Sequence, residues 1–478
     1  MNSLDRKILG GCTIVASVIV LISSGLPFFW DNVLQGSRVA MHFYDSGFDS
    51  FILPADIDVG HPPFFGWYLA LFWVIFGKSL WVSHLAMLPW IVLLCFFWYK
   101  ICYKLIEDPK LRIACFVTGL LEPAIFTHLF MISPETALVS LVIAGFYAIW
   151  VSHHRTQAIV FSLLVLINIR GTLWVLAFFI PAIYLHASDL KKLDVKSLSR
   201  FIYPFIISGL VALIWFGYHY VKTGFITDNA NNSFAKQYYW TSAHQALSQL
   251  KFVVWRFIDQ GRWIAYMIIL FLLIMRGSIS DVHQRSIKRI LFFVSLLSIV
   301  FIALLSTRPF TTIPRYYIPL YLCVTLITFI FLSELKREQL RNGLVGLLFL
   351  SYITGHFWVY PERIYQAWDT TLLHTSYFPL ETKMKKDLSS LGLSESMIAT
   401  GAPLLASDKF TRLMDVQNAD FLPLHEDQIE GYNYVLDCRI CNGISINTKQ
   451  ILRKNWQLIK EWEAKGLWIR LYKNRQVD

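Results

Sequence analysis

The chain has 478 residues, 55% of them hydrophobic and only 16% charged, with a mean hydropathy of +0.49. So much apolar surface excludes a water-soluble globular fold and indicates a polytopic membrane protein. The net charge of +11 does not indicate a nucleic-acid partner, because Lys and Arg lie mainly between apolar runs, the placement expected of cytoplasmic loops.

Met1 to Lys7 is basic, and an apolar run follows from Ile8 to Phe29. That run is longer than a signal-peptide core and has no small-x-small cleavage site before Pro27, so it reads as a retained span with its N-terminus inside. A helical span needs about twenty apolar residues. Spans are expected at 8–29, 82–103, 113–132, 136–151, 156–170, 172–187, 201–220, 263–275, 289–306, 317–333 and 341–359, roughly eleven in all.

With the N-terminus inside, the cytoplasmic turns carry Arg6 and Lys7, Lys100 to Arg112, His153 to Arg155, Lys191 to Arg200, Arg276 to Arg289, and Lys336 to Arg341. Each is basic, as the positive-inside rule requires, and an odd number of spans leaves the tail outside. The expected arrangement is a multi-pass protein of the cell's cytoplasmic membrane, with a cytoplasmic N-terminus and an extracytoplasmic C-terminal region. Phe64 to Phe76 is apolar but short. Counting it as a span would put the basic 100–112 loop outside, so it reads as an interfacial or re-entrant helix. Its Trp67, Tyr68, Phe72 and Trp73 suit a headgroup belt.

Two outer loops are long, at 30–81 and 222–262. The second mixes Asn229, Asn231 and Asn232 with Tyr238, Tyr239 and Trp240, either a sugar path or a surface loop with interfacial aromatics. From about 360 the chain turns polar. A helix at 381–391, strands at 397–400 and 434–437, and a hairpin over 457–472 describe a small α/β extracytoplasmic domain, 360–478, after a transmembrane domain, 1–359. Cys438 and Cys441 form a CxxC, a weak zinc signal without a second Cys or His pair; in an extracytoplasmic tail it reads as a local disulfide first and as free thiols second. The other five cysteines fall in or beside apolar segments and read as small hydrophobes.

The outer face collects Asp31, Asp45, Asp49, Asp56, Asp58, His61, Glu135, Arg170, Arg308 and Arg315. A carboxylate held at a membrane surface is costly without a task. Asp31 opens the first outer loop. Glu135 follows Pro134 at a helix start, where it either complements the helix dipole or serves as a second active-site acid. Arg170 and Arg315 stand at outer span ends, as snorkelling cations or as forks for phosphate oxygens. Glu122, before Pro123, either caps the backbone gap that proline leaves or is functional. His61 precedes Pro62-Pro63 as a loop histidine, a metal ligand or a phosphate contact, and the nearby carboxylates leave room for a divalent cation. No P-loop, Rossmann fingerprint or nucleophile elbow stands in a credible setting, which argues against nucleotide hydrolysis.

Together, the first-loop acid, the His61-Pro62-Pro63 step, the aromatic helix ending in Phe76-Gly77-Lys78-Ser79, the Pro134-Glu135 step and the late Pro314-Arg315-Tyr316-Tyr317-Ile318-Pro319 resemble the GT-C class of membrane glycosyltransferases. The branch they resemble holds the protein O-mannosyltransferases and the lipid A aminoarabinose transferases. The resemblance covers about 5–335 in layout and implies an all-α membrane domain with juxtamembrane helices. It implies a polyprenyl-phosphate sugar donor, undecaprenyl phosphate in a bacterium, and an envelope glycan, lipid or protein acceptor. It also implies Asp31 as catalytic base, with Glu135 orienting acceptor or base. Arg170, Arg315 and His61 become donor-phosphate ligands, and Asp58 and Tyr317 acceptor or sugar contacts. Many members carry Asp-Glu where this chain has Asp31-Asn32. A flippase of lipid-linked sugar and an O-antigen ligase or polymerase are the competing readings. The flippase expects ionisable residues along a path through the membrane rather than on one face.

Overall fold

A computed structural model describes residues 3–475 except 191–193, 228–241, 276–280, 308–312, 363, 365, 416–419 and 442–443, with side chains at 187–190 and 281–287 also left undescribed. Long apolar runs make most of the described residues up to 355 helical. The first segment holds α1 (Ser3–Ser23), a π-helical turn at Val33–Ser37, α2 (Arg38–Ser46) and α3 (Phe64–Phe76). The aromatic segment expected as a juxtamembrane element is thus a helix with the predicted limits. The first apolar run, however, stops being helical at Ser23, six residues before its apolar character ends. Pro27 lies in the unwound part, and Trp30 takes φ +50 at the turn into Asp31.

Next come α4 (Leu80–Leu85) and α5 (Leu88–Leu105), which act as one long apolar element, then α6 (Pro109–Leu120) and α7 (Pro123–Leu129), bent by 71°. Pro123 cannot continue the hydrogen-bond ladder, and the Glu122 carboxylate accepts from Ile125 N at 3.0 Å to cap the restarted helix. α8 (Pro134–Trp150), α9 (His154–Ile167), α10 (Ile169–Leu190) and α11 (Val195–Thr223) follow. A second bent pair, α12 (Ala243–Ile258) and α13 (Trp263–Ile274), breaks by 82°. The helical part closes with α14 (Asp281–Leu305), α15 (Ile318–Ser333) and α16 (Glu338–Gly355).

Every expected span overlaps one of these helices. By length and composition six are able to cross a membrane, or up to eight if each bent pair is one span. α8 and α9 fall short in length: α8 has 17 residues, about 25 Å at 1.5 Å per residue against a hydrocarbon core of about 30 Å, whereas α16 has 18 residues but begins with polar Glu338-Gln339 and Arg341-Asn342. The amide-rich stretch at 229–240 lies outside the described residues.

Residues beyond 376 form α17 (Tyr377–Ser390), α18 (Asp408–Thr411) and α19 (Ile446–Asn455) around a five-stranded sheet. Its strands are β1 (Ile398–Thr400), β2 (Leu422–Pro423), β3 (Tyr434–Cys438), β4 (Gln457–Ala464) and β5 (Leu467–Lys473), in the order β2-β1-β3-β5-β4. β1 runs parallel to β2 and β3, whereas β5 is antiparallel to β3 and β4, with Leu436 opposite Leu471. Cys438 and Cys441 are disulfide-bonded, as the CxxC spacing led one to expect. The apolar core under this sheet, with Met384, Leu388, Ile469 and Leu471, also takes in Phe29 and Met131. Phe28 N donates to Thr411 O at 2.9 Å. The tail therefore packs against the first loop and the α7–α8 turn, and the polar site lies at that seam.

Candidate functional site

Three short backbone devices aim the charged side chains. Ser133 caps α8 by accepting Glu135 N at 3.2 Å, and Pro134 fixes the first turn, so Glu135 starts a buried helix end. Asn168 Oδ1 accepts Gly171 N at 3.2 Å at the α9–α10 corner. A Cβ on Gly171 would stand 1.7 Å from Leu164 O, so only glycine lets α10 begin there with Arg170 beside it. Arg315 sits on a 3-10 turn, Pro314–Tyr317, that leads into α15.

These devices join five charges. Arg170 meets Glu135 through both guanidinium nitrogens, Nη1 to Oε2 at 2.7 Å and Nη2 to Oε1, and stacks over the Tyr316 ring at 4.0 Å. Arg315 donates from Nη2 to Asp31 and from Nη1 to Asp369, and its Nε lies 3.6 Å from Glu135 Oε1. Four of the five side chains are buried, whereas Asp31 is 45% exposed, so Asp31 is the member able to leave its partner for a substrate. Bidentate pairing of this kind fixes orientation as well as charge.

The cluster borders a narrow cleft, about 250 Å³ including its open mouth, lined by Asp31, Asn32, His128, Glu135, Arg315 and Asp369 among others. Asp31 also borders a second, larger groove of about 1230 Å³ including its open mouth. That groove is walled by Phe28, Trp30, Phe378 and Phe410 and carries Arg38, Glu381 and Asp420. The carboxylate therefore stands between a small polar cleft and a broad aromatic one.

The sequence-predicted residues divide accordingly. Asp31, Glu135, Arg170 and Arg315 come together. His61 is close enough to feel them. Burial lowers its pKa to about 4, with Arg170 pushing further down and Glu135 and Asp58 pulling up. It is therefore neutral at pH 7 and offers a hydrogen bond rather than a charge. Asp58 is buried away from the cleft lining, with Oδ1 accepting from Gly60 N and Oδ2 bound to His219 Nε2, both at 2.8 Å. Gly60 has φ +75, and a Cβ there would meet Thr227 O at 2.3 Å, so this turn is tied to the chain beyond α11. Tyr317 packs among Phe257, Phe301 and Tyr321, away from the cleft lining, and its neighbour Tyr316 faces the arginines instead. Arg308 lies outside the described residues.

Glu122 caps α7 and also pairs with Arg262, whose Nε lies 2.6 Å from Oε1. Arg262 further bonds Asp259, which holds Arg256 at 3.0 Å, and stacks on Tyr321 at 3.9 Å. Two acids and two arginines sum to zero there, and the knot joins the two bent helix pairs. Among the described residues no group of three or more His, Cys, Asp or Glu is placed to hold a metal. Guanidinium groups already occupy the positions a divalent cation would take beside Asp31, Glu135 and Asp369, so the donor set does not fit one.

Asp369, His128 and Tyr316 were not singled out by sequence. Asp369 stands in Ala367-Trp368-Asp369-Thr370, a lone acid in a largely apolar stretch, but it belongs to the polar tail, where a carboxylate draws no notice.

Helix direction places the site. α1 begins beside Asp5, which pairs with Lys100 near the end of α5 at 2.6 Å, and Arg289 donates to Leu185 O near the end of α10 at 2.7 Å. α1 leads away from that basic end towards Asp31, and α10 leads towards it from Arg170. The five-charge cluster thus lies at the opposite end of these helices from the basic loops.

No family model and no curated protein sequence matches the chain. Two solved structures do. ArnT from Cupriavidus metallidurans bound to undecaprenyl phosphate matches with a TM-score of 0.53 and 13% identity, over 96% of this chain and 97% of that one. The apo state of the same enzyme gives 0.53 and 12%, over 98% of each chain. What is shared at that identity is the fold. The chain has the GT-C architecture, an all-helical membrane part followed by a small α/β part.

Proposed function

We propose that this chain is an integral membrane glycosyltransferase that moves a sugar from a polyprenyl-phosphate carrier to a cell-envelope acceptor at the extracytoplasmic face, with inversion. The observation that carries this reading is the convergence of Asp31 and Glu135, from separate turns, on Arg315 beside one cleft. The ArnT structure with undecaprenyl phosphate bound supports the donor class.

In the proposed reaction the acceptor hydroxyl attacks C1 of the sugar as Asp31 takes its proton, and the C1–O bond to phosphate breaks with its electron pair leaving on the lipid phosphate. Asp31 can serve because its side chain is 45% exposed and borders both openings. As Asp31 turns to the acceptor, the Arg315 edge it releases is free to meet the charge developing on phosphate. Asp369 and Glu135 hold the remainder of that guanidinium in place. The aromatic groove supplies an approach for an amphipathic acceptor. Residues 1–359 form the catalytic membrane domain and 360–478 an extracytoplasmic domain that closes the site.

The test is Asp31→Asn, assayed with purified undecaprenyl-phosphate sugar and envelope acceptor. A fall in kcat of about 10²- to 10⁴-fold is expected for loss of a general base. Full retained activity removes Asp31 from the chemistry. Lipid flipping without transfer by the unaltered protein supports a transporter instead.

A further inference from the structure

Within the small cleft, two buried polar atoms have no hydrogen-bond partner among the described residues: Nε2 of His128 and Oδ1 of Asp369. Their residues are 4% and 3% exposed, and both line the same cleft beside Asp31 and Glu135. A buried polar atom left unbonded is costly, so two lining one cleft need an explanation.

The surroundings set which is donor and which acceptor. Ser133 Oγ already accepts Glu135 N–H at 3.2 Å and lies 3.2 Å from His128 Nδ1. Its own hydroxyl proton is then best placed on Nδ1, which puts the imidazole proton on Nε2, facing the cleft. Asp369 Oδ2 is held by Arg315 Nη1, which leaves Oδ1 as the acceptor without a partner. An N–H donor on one cleft-lining residue and a carboxylate acceptor on another are together the complement of a hydroxyl group, which both accepts and donates.

Resting on the transferase reading for the identity of its ligand, we propose that His128 and Asp369 form a two-point clamp for a hydroxyl of the donor's sugar ring. The clamp recognises the sugar, while the arginines recognise the carrier's phosphate. Asp369 thereby gives the tail a part in substrate selection.

The experiment measures binding of undecaprenyl phosphate and of its glucosyl, mannosyl and 4-amino-4-deoxyarabinosyl derivatives to the full-length protein in nanodiscs by native mass spectrometry. The unaltered protein should bind at least one glycosyl lipid more tightly than the bare lipid. His128→Ala and Asp369→Asn should each cut that preference by about 10- to 100-fold, the range of a hydrogen bond to a buried polar group. His128→Ala should leave affinity for the bare lipid unchanged, and His128→Gln, which returns an N–H, should recover part of the preference. Equal affinity of the unaltered protein for all four lipids overturns the clamp, as does a His128→Ala loss of the same size for bare and glycosyl lipids. Sugar preference without any transfer leaves the clamp standing and removes the transferase reading.

Discussion

The Arg170–Glu135 pair makes the sharpest energetic statement. Both side chains are buried, at 6% and 3% exposure, and are joined by two hydrogen bonds. Glu135→Gln leaves Arg170 with a neutral amide and the Tyr316 face at 4.0 Å. A guanidinium cannot shed its charge, so the loss should approach the about 3–5 kcal/mol seen when a buried pair is broken. Arg170→Met is milder. Glu135 keeps Arg315 Nε at 3.6 Å and can also take up a proton. With an unfolding entropy of about 2.1 cal/mol/K per residue, a chain of 478 residues shifts its Tm by about 1 °C per kcal/mol. Glu135→Gln should therefore lower Tm by about 3–5 °C, Arg170→Met by less. The double variant should fall well short of the sum of the two, since it leaves no unpaired charge. The assay is thermal unfolding of the purified protein in detergent, followed by tryptophan fluorescence. Additive losses, or a larger loss for Arg170→Met than for Glu135→Gln, would refute the reasoning.

Two further outcomes follow from local geometry. Gly171→Ala places a methyl 1.7 Å from Leu164 O, so the α9–α10 corner must open. Transfer should be lost and Tm should fall, whereas Gly343→Ala, which meets nothing within 4 Å, should be silent in both measurements. His374 is buried beside Phe29, and burial lowers its pKa from 6.5 to about 4. The folded chain thus binds that proton later than the unfolded chain does, so the stability tied to the neutral ring is complete above about pH 6.5. It drains away as pH falls towards 4, to a limit of about 3 kcal/mol. His374→Phe should flatten the fall in Tm between pH 7 and pH 4.5, and an unchanged slope would contradict this.

Hydrophobicity made Asp31, Glu135, Arg170 and Arg315 legible, because a charge at the end of an apolar run is expensive and therefore informative. The same logic failed for Asp369, since a carboxylate in a polar tail costs nothing until the tail folds back onto the membrane part. Tyr317 and Tyr316 show a different limit. Both are in the turn before α15, and one residue of helical phase decides which faces the arginines. Asp58 looked like its neighbours in sequence, yet the positive φ of Gly60 turns it towards His219. Helix locations were readable from apolar runs, but the span count was not, because bends at Pro123 and between Ile258 and Trp263 depend on a buried knot of distant partners. Four of the five described strands of the tail were legible in the sequence, while β2 and the order across the sheet were not.

Arg315 touches partners 284 positions earlier and 54 later in the chain. During synthesis, Glu135 and Arg170 emerge only 35 residues apart and can neutralise each other while the chain is still being threaded into the bilayer. Asp31 has no such early counter-ion and must wait in solvent for most of translation. A half-made chain thus carries one closed salt pair and one open acid, and the five-charge cluster is complete only when the ribosome has delivered the segment around Trp368.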